Sequence, residues 1–123
     1  SPSSKTFSLF LLEGEMHELS LLFANYLLSK RGHKVIYLGQ SVPLNDLKEI
    51  ECIRPSDYFI TSFVTSINSC DIIDYTNQLH EFFPTKKIFI IGKQVSHMTN
   101  GIPEGVTILN SPQGMIELLN HQL

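Results

Sequence analysis

Apolar residues along this chain gather in short continuous runs, separated by stretches in which they recur every three or four positions. The runs are TFSLFLLEG (residues 6–14), KVIYLG (34–39), DYFITSFV (57–64), KKIFIIG (86–92) and GVTIL (105–109). A half-exposed strand alternates apolar with polar residues, so runs that are apolar throughout predict strands buried on both faces. Between them, MHELSLLFANYLLSKRG places Leu19, Leu22, Phe23, Tyr26 and Leu27 near helical spacing before a stop at Gly32. LNDLKEIECI (44–53) repeats the pattern with Leu44, Leu47 and Ile50, and SCDIIDYTNQLHEFF (69–83) predicts a helix that ends at Pro84. SPQGMIELLNHQL closes the chain as a helix with Ser111 as N-cap and Pro112 in its first turn. KQVSHMTNGIPE (93–104) carries Gly101 and Pro103 and predicts only one or two turns plus loop.

Strands and helices thus alternate about five times, which predicts an α/β domain with a parallel sheet covered on both faces by crossover helices. The length suits a Rossmann-like, flavodoxin-like doubly wound sheet of five strands in the order 2-1-3-4-5, and is too short for a barrel of eight. Residues 6–123 form this one domain, and SPSSK (1–5) reads as a linker end. Ligands of such sheets bind beyond the carboxyl ends of the strands, where the strand order reverses. That point lies between strands one and three, so the loops over residues 12–18 and 63–68, with the Gly92 turn alongside, are the expected site.

Composition narrows the classes. The chain has 123 residues, 42% hydrophobic and 17% charged, with a net charge of -3. Its Lys and Arg are scattered, which leaves no phosphate-binding face, so any contact with DNA belongs to another domain. Cys52 and Cys70 form neither a C-x-x-C nor a zinc spacing, and the expectation is a pair of buried, reduced thiols in a cytoplasmic protein. No apolar run reaches the length of a membrane helix.

The residue that stands out is His17, in EGEMHELSLLF at the predicted ligand loop. Imidazole titrates near neutrality and ligates metals, usually with a carboxylate on its other nitrogen to fix the tautomer. Glu15 can supply that carboxylate, with Glu13 and Glu18 as competitors. The plainer reading is a solvated helix start in which Glu15 and Glu18 favour the helix dipole. The second histidine of H-E-x-x-H is missing, as are a P-loop and G-x-G-x-x-G. The third strand ends in TSFVTS without the aspartate a phosphoryl-accepting receiver domain requires. Its hydroxyls, Thr61, Ser62, Thr65 and Ser66, stand at the mouth of the sheet or satisfy nearby backbone groups. His33, His80, His97 and His121 are isolated, and no nucleophile–base pair points to catalysis.

A histidine in the first βα loop, hydroxyls ending strand three and a glycine ending strand four resemble the cobalamin-binding domain. Methionine synthase, corrinoid methyltransferase proteins and cobalamin-dependent mutases carry this domain with the motifs D-x-H-x-x-G, S-x-L and G-G. The E-x-H variant, and the stretch EMHELSLLFANYLLSKRGHKVIYLGQSVPLNDL, are most similar to the C-terminal domains of MerR-type transcriptional regulators. By this resemblance His17 is the lower axial ligand of cobalt in base-off cobalamin, and Glu15 is the carboxylate that hydrogen-bonds it. Thr61, preferred slightly over Ser62, matches the serine beside the displaced benzimidazole tail, with Thr65 nearby, and Gly92 matches the second glycine of G-G. Ser20 stands where the motif has glycine and Ile91 where it has the first glycine; as strand neighbours point to opposite faces, Ile91 faces either the tail or a helix. The resemblance implies a ligand sensor rather than an enzyme, binding adenosyl- or methylcobalamin and reaching DNA through an N-terminal helix-turn-helix domain not in this chain. A corrinoid-carrier subunit and a degenerate oligomerisation module are the alternatives, the last making a second copy of the chain the partner.

Overall fold

The computed structural model describes residues 4–12, 18–62, 69–92 and 101–122, apart from the side chains of 69–72 and 121–122. Five strands form one sheet: β1 (Thr6–Leu12), β2 (Lys34–Val42), β3 (Tyr58–Ser62), β4 (Lys87–Ile91) and β5 (Val106–Leu109). All pairings are parallel and the order is β2-β1-β3-β4-β5, the doubly wound arrangement the apolar runs predict. The described helices are α1 (Leu19–Lys30), α2 (Leu44–Ile53), α3 (Ser69–Phe82) and α4 (Pro112–Gln122). None of the helices among the described residues is long and apolar enough to cross a membrane.

Strand alternation divides the core into two layers. Phe7, Leu9 and Leu11 of β1 join Tyr58, Ile60, Phe89 and Ile91 against α1 and α4. Phe10 and Leu12 join Phe59, Ile88 and Ile90 against α2 and α3. Each such side chain removed from water stabilises the fold by about 1.5–3 kcal/mol, which is why β1, β3 and β4 carry apolar residues on both faces. β2 departs from the expectation of a buried strand. It lies at the margin of the sheet, much of it half-buried or exposed, and it runs on past Gly39 to Val42.

Helix α1 holds a second difference. Its inward face is Leu21, Ala24 and Leu28, whereas Leu19, Leu22, Phe23 and Tyr26, whose spacing marks the helix in the sequence, lie on the outer face. The helix is apolar on both sides, so periodicity identifies it without saying which stripe packs. Its end is as expected: Gly32 takes φ +86°, and the N–H groups of Arg31 and His33 both return to the Leu28 carbonyl. Cys52, expected to be buried, is exposed on α2, a helix that buries only Leu47. The side chain of Cys70 and most of the predicted turn at 93–104 lie outside the described residues.

Candidate functional site

The carboxyl ends of β1, β3 and β4 meet at one edge of the sheet, with β1 flanked by β2 on one side and β3 on the other. This is the reversal point at which doubly wound sheets bind ligands. Ser20 in the first turn of α1, Thr61 and Ser62 at the end of β3, and Gly92 just after β4 all stand at this end. Glu15, His17, Thr65 and Ser66 lie outside the described residues; in the chain, His17 falls between the end of β1 and the start of α1.

Thr61 and Ser62 are both buried but serve opposite faces. Thr61 Oγ1 lies 3.0 Å from Tyr75 Oη on α3, on the α2/α3 side. Ser62 follows Ile60 by two residues onto the α1/α4 side, and its hydroxyl donates to the Ile91 carbonyl at 3.1 Å. Ile91 is 3% exposed and packs with the α1/α4 cluster, on the same face of the sheet as Ser62, its partner in the register of β3 with β4. Gly92 is buried, and its N–H donates to the Leu109 carbonyl at 2.8 Å.

On that same α1/α4 side, a recess of about 530 Å³ opens between the first turns of the two helices. Leu19, Ser20, Leu22, Phe23 and Pro112 line it, so apolar carbon dominates and Ser20 adds a hydroxyl with little volume. A smaller cavity of about 320 Å³ lies across the sheet, lined by Leu12, Pro43, Leu44, Asn45 and Gln78. Among the described residues no group of three or more His, Cys, Asp or Glu could hold a metal ion. A metal that comes with its own ligand ring, and needs one protein donor, is a different case.

One polar cluster at this end was not foreseen from the sequence. Glu18 occupies the N-cap position of α1, but its carboxylate makes no cap hydrogen bond. It accepts instead from Tyr37 Oη at 2.5 Å and from Gln40 Nε2 at 2.6 Å, both on β2. The Tyr37 hydroxyl first, and the Gln40 amide second, hold the Glu18 carboxyl below the usual carboxylate range. Burial, followed by the bond to Glu18 and its charge, pushes the Tyr37 phenol well above its usual range. As a competitor for His17, Glu18 is thus already engaged. Residues three apart in a regular strand point to opposite faces, yet Tyr37 and Gln40 reach one carboxylate. The pairing explains it: Leu9 faces Tyr37 but Phe10 faces Gly39, so Leu38 is an extra residue that resets the phase. Gly39 takes φ +84° at this point, and a glycine inside an apolar strand was the available signal.

Comparison with known proteins adds the fold family. A cobalamin-binding protein from Desulfitobacterium hafniense DCB-2 superposes with a TM-score of 0.68 at 12% identity, over 98% of this chain and 60% of that one. The chain therefore spans about 60% of that protein's length. The receiver domain of the hybrid histidine kinase CckA superposes with a TM-score of 0.54 at 17% identity, over 95% of this chain and 98% of that one. No protein-family model matches the chain, and no curated protein matches it. These likenesses establish a flavodoxin-like fold of the kind found in cobalamin-binding and receiver domains.

Proposed function

We propose that this chain is a cobalamin-binding, ligand-sensing domain that holds the cofactor base-off, with His17 as the lower ligand of cobalt. The observation that carries the reading is the apolar recess between α1 and α4, at the sheet end to which the His17 loop connects. Its volume falls in the range of small-molecule sites, roughly 300–1,000 Å³, and its apolar lining fits a flat aromatic tail. The likeness of nearly the whole chain to a cobalamin-binding protein supports the same reading. The receiver likeness contributes fold alone, because β3, Tyr58–Ser62, carries no carboxylate to accept a phosphoryl group.

In this reading His17 would donate to cobalt and Glu15 would orient its imidazole. Ser20 lines the tail recess. Ser62, on the recess side of the sheet, is better placed than Thr61 to stand beside the tail, and Gly92 keeps the end of β4 free of a side chain. Cobalamin, when bound, would supply a cobalt centre whose ligation is the state to be sensed. The domain itself is a binding module and not a catalyst. Joined behind a MerR-type helix-turn-helix domain in the cytoplasm, it shifts DNA affinity by binding the cofactor more tightly in one packing of the domains than in another. A corrinoid carrier would use the same residues; cobalamin-dependent DNA binding by the full gene product separates the two.

The test is direct. The purified chain is mixed with hydroxocobalamin and with adenosylcobalamin, desalted, and its visible spectrum recorded beside His17→Ala and Ser20→Phe. The expected result is retained cofactor with a base-off, His-on spectrum, altered in His17→Ala and lost when Phe fills the recess, with circular dichroism unchanged. A wild-type chain that emerges colourless contradicts the proposal.

A further inference from the structure

We propose that the outer face of α1 is a self-docking surface, through which two copies of the cofactor-free chain pair by laying their α1 helices antiparallel. The inference is independent of the role given to His17. The described residues leave five large apolar side chains exposed, and four share this one helix face: Leu19, Leu22, Phe23 and Tyr26, at 82%, 50%, 39% and 55% exposure. Their spacing of i, i+3, i+4 and i+7 is that of a stripe one helix presents to another. It lies opposite the stripe of Leu21, Ala24 and Leu28 that is buried in the core. Phe23 and Tyr26 stack with ring centroids 6.4 Å apart, and Lys30 Nζ stands 5.7 Å from the Tyr26 ring centroid. The aromatic pair is thus ordered before a partner arrives, which lowers the entropy cost of docking.

Area and charge point to a second copy as the occupant. At roughly 200 Å² for each such side chain when fully exposed, the four leave about 450 Å² of largely apolar surface in water. A standard interface buries about 800 Å² on each partner, a little over half of it apolar, so the stripe supplies the apolar share of one complete face. A twofold contact requires a surface complementary to itself. Reversal meets that condition here, because the centre of the stripe is uncharged, Glu18 stands before the first turn and Lys30 closes the last. An antiparallel copy brings Lys30 of each helix to the Glu18 end of the other and sets Leu22 of each against Tyr26 of the other, with Phe23 near the axis. A parallel copy would set like charges together. The recess of about 530 Å³ beside the stripe, lined by Leu19, Leu22, Phe23 and Pro112, then receives the partner's Tyr26 ring. That recess is also the one read above as the tail slot, so pairing belongs to the cofactor-free chain.

The experiment is sedimentation velocity of the cofactor-free chain from about 5 to about 500 µM, a range that brackets a weak dimer. Wild type is expected to pass from one chain to two with a dissociation constant on the order of 10 µM, the weak end for a standard face, so that the dilute chain is monomeric. Leu22→Glu and Tyr26→Glu replace exposed side chains that the folded monomer does not need, and each is expected to weaken pairing at least tenfold. Lys30→Glu is expected to weaken it about threefold or more by setting like charges together. Ile53→Glu removes the fifth exposed apolar side chain, on α2, and is expected to pair as wild type does. Circular dichroism of each variant checks that it is folded. A wild-type chain that stays monomeric throughout overturns the proposal and leaves the stripe to a different partner. A dimer that both Leu22→Glu and Tyr26→Glu leave intact lies elsewhere and overturns it as well. A dimer lost in those two variants but indifferent to Lys30→Glu overturns the antiparallel arrangement.

Discussion

His33 shows how much one residue's surroundings decide. It sits before β2 with its ring edge-on to Phe7, centroids 5.2 Å apart, and Nδ1 accepts the Lys5 N–H at 3.1 Å. Accepting that bond requires the neutral ring, and burial, with Arg31 next, lowers its pKa from 6.5. The folded chain then binds fewer protons than the unfolded one just below that value. The stabilisation is complete above about pH 6.5 and is lost as the pH falls through the depressed folded pKa. Urea titrations at about pH 7.5 and 5.5 should show lower stability at the acid end in wild type. His33→Asn keeps an acceptor without titrating, and should flatten that difference. Thr61 and Ser62 teach the complementary lesson. A one-residue step in a strand exchanges faces, so TSF, slightly preferred, and SFV both match the S-x-L pattern in sequence while their hydroxyls serve opposite layers.

Helix α1 carries the argument at the scale of elements. Its existence and its Gly32 stop were legible, because apolar spacing and a C-terminal glycine follow from local geometry. Its orientation was not, since Leu22 and Leu28 look alike in sequence and differ only in what faces them. Leu28 is fully buried and Leu22 is 50% exposed. Leu28→Ala should therefore cost about 2–5 kcal/mol in chemical denaturation, while Leu22→Ala should stay within about 0.5 kcal/mol. Equal losses would mean that the outer face is covered in solution. β2 was read only in part for a related reason. The run KVIYLG announced a strand, but an extra residue in the ladder is a property of the pairing, and no periodicity in one strand reveals it. The Tyr37–Glu18–Gln40 cluster followed from that unseen shift.

At the scale of the molecule, the sheet order was readable because five apolar runs separated by helical stretches admit few packings. The order puts the switch point, where doubly wound sheets bind ligands, between β1 and β3, and the structure adds the recess between α1 and α4 at the same end. The proposed function turns on one donor atom of His17, so the most direct test labels that atom. The chain is prepared with ¹⁵N-histidine, loaded with cobalamin, reduced to the cobalt(II) state and examined by electron paramagnetic resonance. A histidine ligand should split each cobalt line into a doublet from ¹⁵N, and His17→Ala should abolish it. A triplet from the cofactor's own ¹⁴N base, or no nitrogen splitting at all, would contradict the account.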